Sequence, residues 1–191
     1  MKNLTSKELL FRSEDIKILF YEGSPSEKFS NSDMIESRLS FNLFFFLGAD
    51  INLEVQDFGT KFSFQKNQYI LHYSPNKIRA QLWTENHQSL KYVRIEIAYH
   101  YVLNLINPVP NKESEVIMKN MIRNNYIFLH KQTPPYITVE MHMILKEIIS
   151  YSKKGTLQKL FIEVKIIKLL MLIFEQFIKK TLLRKLLKFR P

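Results

Sequence analysis

Residues Leu157 to Phe177, LQKLFIEVKIIKLLMLIFEQF, constrain the chain more than any other stretch. Leu157, Leu160, Phe161, Val164, Ile167, Leu170, Met171 and Phe174 recur at steps of three and four, the period of a helix with one apolar stripe. Ile162, Ile166, Leu169, Leu172 and Ile173 widen that stripe to most of the circumference. Lys159, Glu163, Lys165, Lys168 and Glu175 interrupt the run, too many charges for a membrane span. A water-exposed helix this apolar needs cover on more than one side. The expectation is that one stripe packs on the chain's own core. The other, Ile162, Ile166, Leu169, Leu172 and Ile173, then joins two copies into a homodimer.

The first hundred residues follow a different grammar. Ile16–Tyr21, Glu36–Leu47, Ile51–Val55, Phe62–Phe64, Tyr69–Tyr73, Ile78–Thr84 and Leu90–Ile97 are short β-rich runs, several alternating apolar and polar side chains. Gly23-Ser24-Pro25, Gly48-Ala49-Asp50, Asp57-Phe58-Gly59, Lys66-Asn67 and Ser74-Pro75-Asn76 separate them as turns, and residues 24–34 read as a loop. About seven strands at this spacing predict an antiparallel sandwich or barrel. After Pro108-Val109-Pro110 the pattern turns helical. One helix is expected over Glu113–Asn124 and one from Thr138 through Ile149, ended by Ser152-Lys153-Lys154-Gly155. The last helix follows, with a possible extension through Leu182, Leu183, Leu186 and Leu187. The fold class is therefore α+β: an N-terminal β-barrel, then a helical dimerisation segment. The expected divisions are a sensing region at 1–110, a helical region at 111–178 and a basic tail or linker at 179–191.

The order Leu160-Phe161-Ile162-Glu163-Val164-Lys165, then Lys168-Leu169-Leu170 and Glu175-Gln176, resembles the last sensor helix of AraC-type transcription regulators, nearest the siderophore-responsive, pyochelin-regulator-like branch. Phe64 to Pro75 resembles that family's barrel strand pair, and Lys91–Ile97 with Tyr101–Ile106 its final strand and first helix. The resemblance implies a cupin-like ligand-sensing barrel, a dimer, and DNA contact through a C-terminal double helix-turn-helix domain. Thr181–Pro191 is too short to hold that domain. The expected function is the sensing and dimerising half of such a regulator, truncated before its DNA-binding domain, with a small-molecule effector such as a ferric siderophore. The alternative is a free-standing, non-metal, cupin-like small-molecule binding protein.

Composition narrows the chemistry. The 191 residues include 25 aromatics and no Cys, so a sizeable core is available and thiolate or disulfide chemistry is excluded. The N-terminus carries acids and no uninterrupted apolar stretch of the signal-peptide kind, and the expected location is cytoplasmic. Residues 1–110 hold 12 basic and 12 acidic side chains, whereas residues 111–191 hold 16 and 6. Lys179, Lys180, Arg184, Lys185, Lys188 and Arg190 end the chain with no acid among them, which suits either a helix C-terminus or an acidic partner. His72, His87, His100, His130 and His142 are scattered without metal-ligand spacing, so no metal or other cofactor is expected. No catalytic motif is present, and a binder rather than an enzyme is expected. The expected ligand contacts are Phe41, Phe45, Tyr69, His72, Tyr73, Trp83 and Arg94: aromatics to stack on a planar ligand, His or Arg to pair an acidic group.

Overall fold

The computed structural model describes residues 6–24, 26–30, 40–55, 60–74, 79–85, 88–106 and 134–188. Among them nine strands come first: β1 (Ser6–Arg12), β2 (Ile16–Gly23), β3 (Ser26–Ser30), β4 (Ser40–Phe46), β5 (Ile51–Val55), β6 (Thr60–Phe64), β7 (Tyr69–Ser74), β8 (Arg79–Thr84) and β9 (Leu90–Ala98). Among the described residues three helices follow: α1 (Tyr99–Ile106), α2 (Val139–Ser150) and α3 (Thr156–Lys188). The chain divides into two compact units, Met1–Ile137 and Thr138–Pro191.

In the first unit the strands form two antiparallel sheets, ordered β1-β2-β9-β4-β7 and β3-β8-β5-β6. Leaving β1 aside, the orders β2-β9-β4-β7 and β3-β8-β5-β6 are those of a jelly roll, the double-stranded β-helix of cupins. The expected closed barrel is thus a two-sheet sandwich. Alternation along a strand reports which face is buried, not whether the sheet closes on itself. Two strands escaped the sequence reading. The polar SEKFS of β3 lies in the expected loop at 24–34, and SKELLFR of β1 carries little alternation. Both are edge strands, where burial leaves the weakest pattern.

Strand parity fixes the interior. Tyr21, Phe44, Phe46 and Tyr92 of the first sheet meet Leu53, Phe64, Ala80 and Leu82 of the second in one buried cluster. Phe46 and Phe64 approach across the sandwich to 4.7 Å between ring centroids, and Tyr21 stacks on its cross-strand partner Tyr92 at 5.2 Å. The opposite face of the first sheet is buried too, at Ile18, Leu43, Leu71, Ile95 and Ile97. This explains why β4 and β9 read as nearly unbroken apolar runs. At the β6–β7 turn Asn67 takes φ 63°, a left-handed conformation that Asn tolerates.

In the second unit Thr138 caps α2, its hydroxyl accepting from the Met141 N–H at 3.2 Å. Met141, Ile144, Leu145 and Ile148 form the buried stripe of α2. Gly155 turns the chain at φ 86° into the 33-residue α3. Helices α2 and α3 are tied by Lys165–Glu147 and by Lys168–Glu140 at 2.7 Å, and Tyr151 stacks on Phe161. Residues 179–188, within the expected basic tail or linker, continue α3. The expected helix at 113–124 lies outside the described residues, as does the expected boundary at 110.

The expected dimer stripe is corrected. Ile162, Ile166, Leu169 and Ile173 are buried within a single copy of the chain, and Leu172 is half-buried. Leu157, Leu160, Val164 and Met171 are the exposed ones, each more than half accessible. Apolar residues around most of a helix do not say which stripe is buried in its own protomer, and Leu170 of the other expected stripe is buried as well.

Gly48 gives a test of the sandwich. Its N–H donates to the Lys91 carbonyl at 3.2 Å, and an added Cβ would stand 2.9 Å from the Lys91 Cβ. Since that neighbour is fixed to the backbone of β9, Gly48→Ala should lower stability by about 1–3 kcal/mol, read as a loss of several degrees in thermal midpoint.

Candidate functional site

A row of polar side chains crosses the first sheet on its interior face. Lys17 of β2 pairs in register with Glu96 of β9, Glu96 with Asn42 of β4, and Asn42 with His72 of β7. All four share the face of Tyr21, Phe44, Ile70 and Tyr92, so they point into the sandwich. Arg94 lies on this face too, two residues before Glu96. Its guanidinium sits 2.7 Å from Glu96 Oε1, donates to Asn42 Oδ1 at 3.4 Å, and stands over the Phe44 ring at 5.3 Å. Asn42 in turn donates to Ser40 Oγ at 3.4 Å.

The cluster is shielded from water. Glu96 is 1%, Asn42 1%, Arg94 4% and Lys17 7% exposed. His72 keeps some accessible surface, but its Nε2 is sealed. Glu96 Oε2 is buried and accepts no hydrogen bond among the described residues. A carboxylate oxygen in that state is costly unless a donor reaches it. The row lies toward the end of the sandwich where β3, β5, β7 and β9 finish. At the other end the interior is filled by aromatic and aliphatic side chains. The interior is thus amphipathic along its length: an ionic, hydrogen-bonding end and an apolar end.

The residues expected to contact a ligand separate by strand parity. His72 and Arg94 fall in the interior row. Phe41, Phe45, Tyr69 and Tyr73 lie on the opposite face of the same sheet, away from it. There Phe45 stacks on Tyr69 at 5.5 Å, and Phe41, Tyr73 and Tyr99 form a cluster. Burial raises the Tyr69 and Tyr73 hydroxyls above the usual phenol range. These four are packing residues of a sheet buried on both sides. Trp83 stands on the outer face of the second sheet, beside Asn52 and opposite to Ala80 and Leu82. The sequence reading missed Lys17, Asn42 and Glu96. Their signal was present: a lone polar residue in SFNLFFF, and Arg-x-Glu within the apolar YVRIEIA. Among the described residues no three His, Asp or Glu side chains gather as a metal site.

No protein-family model matches the sequence, and neither does any curated protein. The resemblance to AraC-type regulators therefore rests on the quoted motifs alone. Solved structures give remote similarity. An RmlC-like cupin with a double-stranded β-helix fold from Methanocaldococcus jannaschii is 13% identical with a TM-score of 0.38, over 53% of this chain and 87% of that one. A cupin superfamily protein from Desulfitobacterium hafniense is 14% identical with a TM-score of 0.40, over 51% and 81%. The Cnp3 cupin domain of Schizosaccharomyces pombe is 12% identical with a TM-score of 0.40, over 58% and 76%. The jelly-roll assignment stands on strand order itself.

His72 makes the cluster sensitive to acid. Burial first, and the Arg94 charge second, lower its pKa from 6.5 to about 4. Above pH 6.5 the imidazole is neutral in folded and unfolded chains alike. Between 6.5 and 4 only the unfolded chain takes up the proton, so stability falls with pH by up to about 1.4 kcal/mol per unit. Denaturant unfolding at intervals from pH 7 to pH 4 should show this slope in the wild type. His72→Asn should flatten it relative to the wild type, leaving the carboxylate contribution common to both.

Proposed function

We propose that the jelly roll binds a small polar molecule in its interior, at the row formed by Lys17, Arg94, Glu96, Asn42 and His72. The observation that carries this reading is the concentration of ionic and amide groups on one interior patch of an otherwise apolar sandwich. A structural core gains nothing from five such groups, since replacing a buried ion pair with apolar side chains is often neutral or stabilising. A binding site needs them, because a few converging polar groups in an apolar cavity orient a ligand. Glu96 Oε2 offers an acceptor to a ligand hydroxyl or amine.

A finer reading joins this site to the helical unit: the chain acts as the sensing and dimerising half of an AraC-type regulator, its effector a ferric siderophore. The exposed stripe of α3 favours it over the free-standing binder. Leu157, Val164 and Met171 are seven residues apart, with Leu160, Ile167 and Phe174 between them at a and d spacing. In a parallel pair Glu163 of one copy lies against Lys168 of the other, the complementary g–e′ arrangement. Within one copy both residues make partly exposed ion pairs, Glu163 with Lys159 and Lys168 with Glu140, and these can exchange.

The two parts are tested separately. Calorimetric titration with ferric pyochelin and with small carboxylic acids should find a ligand. Arg94→Met or Glu96→Gln, in variants shown to keep a cooperative thermal transition, should then weaken it about tenfold or more, the worth of a hydrogen bond to a charged group. Unchanged affinity in both variants ends the interior reading. Trp83 emission should stay unchanged on such binding, because the indole is on the other side of its sheet. Sedimentation should give a dimer. Val164→Glu should split it with the thermal transition intact, whereas Leu169→Glu should cost the fold itself. A monomeric wild type at micromolar concentration removes the regulator reading and leaves the binder.

A further inference from the structure

The outer face of the second sheet carries a groove that the interior site does not use. Its volume is about 450 Å3, and Asp50, Asn52, Ser63, Gln65 and Glu85 line it, with Gln68 and Pro134 at one wall. Three adjacent strands build it from one face: Glu85 follows β8, Asn52 lies on β5 and Ser63 on β6. The polar groups are pre-arranged. Ser63 Oγ donates to Asn52 Oδ1 at 2.7 Å, Asn52 Nδ2 donates to Glu85 Oε1 at 3.1 Å, and the Lys66 N–H donates to Asp50 Oδ1 at 2.7 Å.

Each of these bonds spends a donor and leaves an acceptor open: the second oxygens of Asp50 and Glu85 and the lone pairs of Ser63. Among the described residues no Lys or Arg side chain lines the groove. It is therefore an acceptor-rich, anionic concavity, matched by a ligand with several hydroxyl donors and a cation. Two aromatics flank it. Trp83, half-exposed, shares the face and register of Asn52, and Tyr136, 53% exposed, hydrogen-bonds Gln65. An aromatic beside hydroxyl-directed carboxylates and amides suits the C–H face of a sugar ring.

We propose that this groove binds an amino sugar, its ammonium toward Asp50 and Glu85, its hydroxyls on Asn52 and Ser63, and its ring beside Trp83. The size agrees, because the groove admits one or two sugar rings. The site is separate from the interior row, so the two readings stand or fall apart.

The full chain is titrated with D-glucosamine, D-glucose and spermidine, followed by Trp83 emission and by calorimetry. The expected result is saturable glucosamine binding with a change in the emission of this sole Trp. Glucose should bind about tenfold more weakly, as should glucosamine to Glu85→Gln, for loss of a charge-assisted hydrogen bond. No saturable heat with glucosamine overturns the proposal. Glucose binding as tightly overturns the role of the carboxylates, and spermidine binding as tightly overturns recognition of the hydroxyls. Full affinity in a folded Glu85→Gln removes the groove as the site.

Discussion

Strand β9 is the constraint on which the first unit depends. It is hydrogen-bonded on both edges, to β2 over Ile16–Gly23 and to β4 over Ser40–Phe46. Both of its faces are buried as well, with Val93, Ile95 and Ile97 on one side and Tyr92, Arg94 and Glu96 on the other. The stretch from Tyr92 to Ala98 has no surface to give to water. Any charged residue on it must find its partners inside, and Arg94 and Glu96 do so with each other and with Asn42. The same enclosure makes that pair expensive to keep, since the desolvation of two charges is repaid only when their geometry and remaining hydrogen bonds are good. Removing one partner is the worse change, because it strands the other.

Much of this was legible in the residues. Strands β2 and β4 to β9, the helix start at Thr138 and the start of α3 near Gly155 follow from periodicity and turn chemistry. The interior row was half-legible. Strand alternation places Arg94 with Glu96 and His72 with Ile70, but only pairing register brings Lys17, Glu96, Asn42 and His72 into line across four strands. Register is a property of partners, and a single strand does not carry it. The aromatic choices failed for a related reason. In a sheet covered on both sides Phe and Tyr occur on both faces, so their type says nothing about which face is the interior. Trp83 illustrates the converse, a large apolar side chain on the outer face of the second sheet.

The second unit shows how helical amphipathicity can mislead when it is nearly saturated. Ile162, Ile166, Leu169 and Ile173 and the set Leu157, Leu160, Val164 and Met171 look equivalent on a helical wheel, yet the first is enclosed and the second is not. Charges break the tie. Lys165 and Lys168 reach Glu147 and Glu140 of α2, which fixes the rotation of α3 about its own axis. The a and d positions then face the side away from the buried stripe. Individually these ion pairs contribute little to stability, but they select one rotational setting among several of similar apolar burial.

The segment Pro135–Ile137 lies along the outer edge of β7. The Tyr69 N–H donates to the Pro135 carbonyl at 3.0 Å, the Ile137 N–H donates to the Asn67 carbonyl at 2.7 Å, and Gln68 pairs with Tyr136. Strand β7 ends its sheet, so without these residues its first peptide groups would be bare and ready to template another chain. A proline lying there also brings no N–H of its own to extend the ladder. Polypeptide made after the strands thus seals a seam that the strands leave open. A nascent chain that has released β1 to β9 but not yet residue 137 carries an unprotected sheet edge, and its hazard during synthesis is self-association rather than slow folding.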